Sequence, residues 1–321
     1  MKRVVQTVLV VMALASLGVM AALQRQPVAA PAPPAPAAFG ESTIRAKAGP
    51  SEIVVTTTAR VAGAIHSLTW DGVEFVDSFD HGRQIQSASN FDSGQAFVPE
   101  VFNPTEAGSM ADGRGGTSTS RLLELSAKEN QLVTLTRMAF WLKPGEKSNG
   151  SPARNAGPLS DHYLVKRVTI GHKGLAHAIE YRVTFLVPNE KHTFAQFEAV
   201  TGYMPPAFGT FLRFDATAGT LQPLADGPGE QADPVVLSTA DGRHAMGVYS
   251  PDQPSKGFET AGYGRFRFAA EKVVKWNCVF RTKAAAGVNG GEYQFRCFLV
   301  VGTSKDCGAA LAALHKEFAK P

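Results

Sequence analysis

Cysteine is scarce in this sequence, and its few cysteines exclude a disulfide scaffold. The 321 residues contain only Cys278, Cys297 and Cys307, and an odd number leaves at least one thiol unpaired. Their spacing also differs from that of zinc sites. In an oxidising compartment the sequence is compatible with one bridge, either Cys278–Cys297 or Cys297–Cys307, and three buried thiols are the alternative.

Concentrated positive charge and nucleotide-binding motifs are absent as well. The formal net charge is +4, and Lys2 and Arg3 contribute to it. No basic run follows, which excludes nucleic acid as a predicted partner. The chain has no G-x-G-x-x-G, P-loop or G-x-S-x-G pattern, and its histidines lack zinc-site spacing. We therefore predict no cofactor, although Asp and Asn oxygens in the long loops leave a structural calcium open.

The first 40 residues do not have the pattern of a folded domain. Lys2 and Arg3 precede the apolar run Val4–Leu23, which predicts an export signal over residues 1–23, with an uncleaved membrane anchor as the alternative. Residues 24–40 are rich in proline and alanine, which is typical of an extended linker. We predict that residues 41–321 are a single domain of a periplasmic or extracellular protein. Only an uncleaved anchor would bring it to a membrane, and its oligomeric state is left open.

Helical periodicity is nearly absent until the C-terminus, whereas strand signals recur throughout. About fourteen segments rich in β-branched and aromatic residues are separated by Gly, Pro, Asn and Asp. The clearest is a hairpin in which Ala64–Trp70 and Val73–Val76 flank the turn Asp71-Gly72. One helix is predicted to begin at Ser304 or Lys305 and to run to Phe318. The pattern predicts an all-β fold, a large antiparallel sandwich of two sheets with one short C-terminal helix.

The polar stretch from Asp80 to Gln86, just after this hairpin, is the first candidate site. His81 follows a carboxylate, which can hold its ring in one tautomer and tune it as an acid or base. The planar fork of Arg83 suits a carboxylate or a pair of hydroxyl groups. If the stretch is a regular strand, Gln84 and Gln86 share a face with Asp80. The alternative is a buried network in which these groups satisfy one another.

Later polar clusters would complete such a site from other strands. Pro104 stiffens a turn that would orient Asn103 and Glu106. Tyr203, at a proline-braced turn, offers a phenol donor or a platform for a sugar ring. For each cluster a solvated turn or core packing is the alternative. The candidates in these clusters are Asn103, Glu106, Arg121, His162, Glu198, Tyr203, Glu230 and His244.

The segment Gly63–Gly72 reads Gly-Ala-Ile-x-Ser-Leu-x-Trp-x-Gly. With the many-stranded plan that follows, it resembles the galactose-mutarotase-like superfamily. The resemblance implies a β-supersandwich fold, which aldose epimerases share with domains of polysaccharide lyases, glycosidases and carbohydrate-binding proteins. It also implies a catalytic histidine and a late glutamate. By order in the chain these are His81 or His162, and Glu230, although the local epimerase motifs around them are not matched.

Three hypotheses for function follow. The first is an exported carbohydrate-active enzyme of the glycoside hydrolase, polysaccharide lyase or epimerase type. In it His81 and Glu230 act as acid and base, or Glu106 and Glu230 as a hydrolase pair. The second is a non-catalytic glycan-binding protein, and the third is a structural envelope protein. The residues predicted to hold the saccharide are Arg83, Gln84, Asn103, Arg121, Glu198, Tyr203 and His244.

Overall fold

Residues 39–319 are described by a computed structural model, so the predicted export signal and nearly all of the predicted linker lie outside the described residues. From Gly40 onward the described chain forms one unit. Among residues 39–319, no helix is long and apolar enough to cross a membrane.

Strands follow one another along almost the whole described chain, and one α-helix ends it, as the sequence predicts. The strands are β1 (Ser42–Ala48), β2 (Ser51–Thr57), β3 (Ile65–Trp70), β4 (Val73–Glu74), β5 (Gln86–Phe91), β6 (Pro104–Thr105), β7 (Arg121–Lys128), β8 (Gln131–Phe140), β9 (Lys147–Ser148), β10 (Ser151–Pro152), β11 (Leu159–His172), β12 (Leu175–Val187), β13 (His192–Met204), β14 (Thr210–Asp215), β15 (Thr220–Pro223), β16 (Gly229–Gln231), β17 (Val235–Ser238), β18 (Ala245–Tyr249), β19 (Tyr263–Phe268), β20 (Val273–Val288) and β21 (Gly291–Gly302). The helix is α1 (Ser304–Phe318).

The N-terminal sheet has the strand order β1-β2-β3-β4 and contains the predicted hairpin. Trp70 pairs with Val73 across the turn, where Asp71 and Gly72 have φ values of 51° and 73°. Positive φ at both central residues is what a tight hairpin turn requires. The returning strand is shorter than predicted and ends at Glu74, whose carboxylate accepts hydrogen bonds from neighbouring main-chain N–H groups.

The large antiparallel sheet folds over so that its two halves pack face to face. Its strand order is β15-β14-β17-β18-β21-β12-β11-β8-β6-β5-β13-β20-β19-β16, with β7 paired to β8. Phe185 on β12 and Phe197 on β13 are separated in this order, yet their ring centroids are 5.1 Å apart. Phe280 on β20 and Phe295 on β21 are 4.4 Å apart. These contacts confirm the predicted antiparallel sandwich with a continuous core between its layers.

Helix α1 covers the outer face of one half of the large sheet. Thr303 and Asp306 form a capping box at its N-terminus. Leu311 and Leu314 are buried against Phe298 and its neighbours on β21, β12 and β17. The apolar stripe that predicts the helix is therefore the stripe that packs.

The outer face of the other half, on β5, β13 and β20, has no such helix among the described elements. Along β13, Ala195 and Phe197 point into the core, so Gln196 and Glu198 point outward. A bulge between Glu198 and Val200 shifts the register. After it, Thr201 is on the outer face. Polar side chains therefore collect on this face.

Candidate functional site

A cavity of about 190 Å³ opens on the outer face of the large sheet over β5, β13 and β20, and we name it the sheet cavity. Outward side chains of these strands form its floor. Loop residues before and after β5, and Trp141 directly after β8, form its walls. Its principal polar lining residues are Asn90, Asn103, Gln196, Glu198, Tyr203 and Lys275.

Glu198, Tyr203 and Lys275 form a charged group in this cavity. Lys275 Nζ lies 3.3 Å from Glu198 Oε2 and 5.1 Å from the centroid of the Tyr203 ring. Burial lowers the pKa of Lys275, but the Glu198 carboxylate and the Tyr203 hydroxyl outweigh burial and hold that pKa above its ordinary value. Burial raises the pKa of Tyr203. At neutral pH the cavity therefore holds an ammonium group beside a protonated phenol.

Four amide side chains line the cavity. Gln86 uses both its oxygen and its nitrogen in hydrogen bonds to main-chain groups, whereas in each of the other three the protein binds only one of the two polar atoms. Asn90 Oδ1 accepts from a main-chain N–H at 2.8 Å, and Asn103 Nδ2 donates to a main-chain carbonyl at 2.7 Å. Gln196 Oε1 accepts from Nε of Arg281 at 3.2 Å. Within residues 39–319, Asn90 Nδ2, Asn103 Oδ1 and Gln196 Nε2 make no hydrogen bond. They leave two donors and one acceptor at set positions for a ligand.

Trp141 adds an aromatic wall to the cavity, and Gly82 allows the indole to lie close to the chain. A Cβ atom at position 82 would be 2.8 Å from Cη2 of Trp141, closer than carbon atoms approach without a bond. An aromatic surface beside a few fixed hydrogen-bonding groups is typical of small-molecule pockets.

Glu230 lies on the same face of the sheet but not in the cavity. It pairs with Gly264 on β19, which pairs with Asn277 on β20, so it is three strands from β13, about 14 Å at ordinary strand spacing. Both of its carboxylate oxygens accept from Arg281, at 2.7 and 2.8 Å. Arg281 also donates to Gln196, so Glu230 is linked to the cavity lining through the Arg281 guanidinium and does not itself line the cavity.

The stretch from Asp80 to Gln84 is a turn, so the regular strand through Asp80 is not formed; Ile85 makes an isolated bridge to Ile65, and β5 begins at Gln86. His81 is buried, and its ring nitrogens lie 2.9 and 2.8 Å from two main-chain carbonyl oxygens. Gln84 is buried and donates to Ser78 Oγ at 2.8 Å. Arg83 lies 3.2 Å from Asp80 and 3.6 Å from Asp77. These side chains thus make their polar contacts within the protein, and the carbonyls that meet the His81 ring belong to Gly113 and Arg60.

Glu106 is fully buried on the inner side of the sheet. Its carboxylate pairs with Lys166, which is equally buried, and accepts from the Ser87 N–H at 3.0 Å. Lys166 Nζ also donates to the Gly63 carbonyl at 2.5 Å. Burial lowers the pKa of Lys166, and Glu106 opposes that shift. The structure therefore separates Glu106 from Glu230, its predicted hydrolase partner.

Two further candidates lie away from the sheet cavity. Arg121 is exposed on β7, where it pairs with Arg137 in the register of β8. His244 precedes β18 and contacts the N-terminal hairpin, with Nε2 3.8 Å from Asp71 and its ring centroid 5.9 Å from that of Trp70. Of the predicted site residues, the structure brings Asn103, Glu198 and Tyr203 together in the cavity.

A second cavity of about 400 Å³ is lined by Glu190 and His192, among others, and lies next to His162. Nε2 of the buried His192 is 3.2 Å from Glu190 Oε2, and Nε2 of the buried His162 is 3.6 Å from the same oxygen. The two imidazole rings beside it, His162 first, lower the pKa of Glu190 to about 2. Burial lowers the pKa of His162. The cluster therefore holds an ionised carboxylate at neutral pH.

Sequence reasoning misses Lys275, Gln196, Trp141 and Glu100, all of which line the sheet cavity. Lys275 has a local signal, because it alternates with the core residues Val274 and Trp276 and must face outward. For Gln196 the same alternation with buried neighbours holds. Glu100 and Trp141 lie in loops, where no periodicity marks the direction of a side chain.

The described residues contain no bridge between the three cysteines, which are buried free thiols. Within the described part of the chain, no three His, Cys, Asp or Glu side chains are grouped so that they could hold a metal ion. Structural calcium therefore stays a sequence prediction.

No protein-family model and no curated protein matches the chain. Among solved structures, it is similar to the Slr1438 protein from Synechocystis sp. PCC 6803, at 11% identity over 82% of this chain and 96% of that one, with a TM-score of 0.44. A glycosyl hydrolase family 38 protein from Enterococcus faecalis aligns at 11% identity with a TM-score of 0.49, over 84% of this chain but only 31% of that chain.

YeaD of Salmonella typhimurium, provisionally described as a mutarotase, aligns at 12% identity over 81% of this chain and 94% of that one, with a TM-score of 0.30. Likenesses this distant carry no argument about activity.

Proposed function

We propose that the protein binds a neutral saccharide in the sheet cavity. The observation that carries this proposal is the set of amides Asn90, Asn103 and Gln196. In each of them one of the two polar atoms is hydrogen-bonded to the protein, and the other makes no hydrogen bond within residues 39–319. A sugar hydroxyl both donates and accepts, so it can meet such donors and acceptors in pairs. The indole of Trp141 supplies an apolar wall for the C–H face of a sugar ring.

The charges around the cavity favour a neutral ligand over an acidic one. The lining contains two carboxyl groups, of Glu100 and Glu198, against the single ammonium of Lys275. The nearby Arg281 is engaged by Glu230, and Arg83 by two aspartates. A uronate would add negative charge where no guanidinium is free to meet it. A lyase acting on an acidic polysaccharide is therefore disfavoured.

A glycoside hydrolase is a second candidate function. The observation in its favour is that Glu100 and Glu198 both line one cavity, because hydrolysis uses two carboxyl groups that flank the scissile bond. The predicted His81 and Glu230 chemistry has less support, since both nitrogens of His81 face main-chain carbonyl oxygens and Glu230 is engaged by Arg281. Export is a separate proposal that rests on the pattern of residues 1–23 alone.

The proposal is tested by calorimetric titration of the full chain with a fixed panel. The panel contains mono- to tetrasaccharides of glucose, galactose, mannose, xylose and N-acetylglucosamine, with oligogalacturonates as the acidic series. We expect at least one neutral series to bind and the oligogalacturonates not to bind. Release of reducing ends in the same mixtures distinguishes a hydrolase from a binding protein.

Gln196→Leu is the matched test of the site in that titration. We expect it to weaken binding by about tenfold, the loss typical of one well-placed hydrogen bond to a ligand. Gln294→Leu is the control, because Gln294 is an exposed strand glutamine on β21 outside the cavity lining. If no saccharide in the panel binds, or if both variants bind like the wild type, the proposal fails.

A further inference from the structure

The sheet cavity is too small to hold more than the end of a saccharide chain. At about 190 Å³ it is below the range of about 300–1,000 Å³ that encloses a drug-sized ligand. One sugar ring is the part of a saccharide that fits such a space. Any further unit of a bound chain must therefore lie on the protein surface next to the cavity mouth.

One wall of the cavity continues into a strip of aromatic rings on that surface. We name Tyr203, Phe266 and Phe268 the aromatic row. Tyr203 on β13 pairs with Lys275 on β20, which in turn pairs with Phe266 on β19, so the three side chains share one face of the sheet. Phe268 is two residues further along β19 and shares that face.

The rings of the aromatic row have one common orientation. The planes of Tyr203 and Phe268 differ by 18° with centroids 6.4 Å apart, and those of Phe266 and Phe268 differ by 12° with centroids 6.2 Å apart. Lys275 Nζ lies within 5.1 Å of the Tyr203 centroid and 5.7 Å of the Phe266 centroid, which holds the row together from the cavity side. The row is thus a continuous apolar strip that begins in the cavity wall.

Phe268 neighbours both other rings of the row and is open to solvent, with 37% of its surface exposed. A single exposed phenylalanine is ordinary. An exposed ring aligned with two others, one of which (Tyr203) lines a polar cavity, is a surface suited to a sugar ring, which has apolar C–H faces as well as hydroxyl groups. Rigid aromatic side chains also lose little conformational entropy when a ligand packs on them.

We propose that the aromatic row is a second binding position, so that the ligand is a neutral oligosaccharide whose terminal unit enters the sheet cavity while the next unit packs on the row. This inference rests on the proposed function and extends it from a sugar to a sugar chain. It requires the second unit to contribute affinity through Phe268 and not through the cavity groups.

The test is a chain-length series of the tightest-binding neutral saccharide of the panel, titrated against the wild type and Phe268→Ala. We expect the wild type to bind the trisaccharide about tenfold more tightly than the monosaccharide, the upper range for an aromatic contact. In Phe268→Ala that ratio falls toward one, while monosaccharide affinity is unchanged. If circular dichroism shows that the alanine variant does not fold, Phe268→Leu, which keeps apolar bulk without the ring, is titrated in its place.

Leu123→Ala is the matched control, because Leu123 is an apolar side chain with 44% of its surface exposed on β7, outside the lining of the sheet cavity. It should keep the wild-type ratio. Equal binding of mono- and trisaccharide by the wild type, or an unchanged ratio in both Phe268 variants, overturns this inference and leaves the proposed function standing. If no saccharide of the panel binds, both the proposed function and this inference are wrong.

Discussion

Replacing Lys166 by alanine is expected to lower the free energy of unfolding by about 3–5 kcal/mol, the usual cost of leaving one partner of a buried ion pair alone. Lys166 and Glu106 have no exposed side-chain surface, and Lys166 also binds the Gly63 carbonyl. After the substitution the Glu106 carboxylate keeps the Ser87 N–H but loses its counter-charge. Because ordinary domains are stable by only about 5–15 kcal/mol, urea unfolding should show a large shift of the midpoint.

The double variant Lys166→Met with Glu106→Leu separates the unpaired charge from the loss of packing. Removing both charged groups together should restore most of the lost stability, since apolar pairs can replace buried ion pairs at little cost. Lys173→Ala is the surface control, because Lys173 pairs with Glu317 while largely exposed. We expect that control to change stability by less than about 1 kcal/mol. A Lys166→Ala protein as stable as this control would contradict the assignment of the pair as a structural element.

Replacing Lys275 by methionine is expected to weaken saccharide binding by about 10- to 150-fold, because a hydrogen bond from a charged donor to the ligand is worth about 1.5–3 kcal/mol. The variant removes the only ammonium of the sheet cavity lining and leaves the Glu198 carboxylate, 3.3 Å away in the wild type, without its partner. Titration of the tightest-binding saccharide of the panel measures the loss.

Two further variants show whether that loss is specific. Adding Glu198→Gln to Lys275→Met removes the unpaired carboxylate, so part of the affinity should return. Lys128→Met, at an exposed position on β7, should bind like the wild type. Wild-type affinity in Lys275→Met would show that the charged group of the cavity does not contact the ligand.

The strand order of the fold could not be predicted from the sequence, but many of its local elements could. The Asp71-Gly72 turn and the capped helix α1 are encoded by neighbouring residues, and both form where the sequence predicts them. The pairing of β13 with β5 joins residues about a hundred positions apart. Such pairings depend on the packing of the whole core, and no local pattern specifies them.

The site was harder to predict than the fold, and Gln84 and Asn103 show why. Both are amides in polar stretches after the N-terminal hairpin. Gln84 donates hydrogen bonds to Ser78 and Asp80 close to it in the chain, whereas Asn103 lines the sheet cavity. The sequence does not distinguish a polar group that satisfies its own loop from one that faces a ligand. Glu106 is a similar case, since its partner Lys166 is 60 residues away.

The most direct test of the saccharide site is a crystal structure of the protein with the tightest-binding saccharide of the panel. The predicted result is a sugar ring in the sheet cavity, with hydroxyl groups within hydrogen-bond distance of Asn103 Oδ1 and Gln196 Nε2 and one face toward Trp141. A saccharide bound elsewhere, for instance in the second cavity beside His192, with the sheet cavity holding only water, would contradict it.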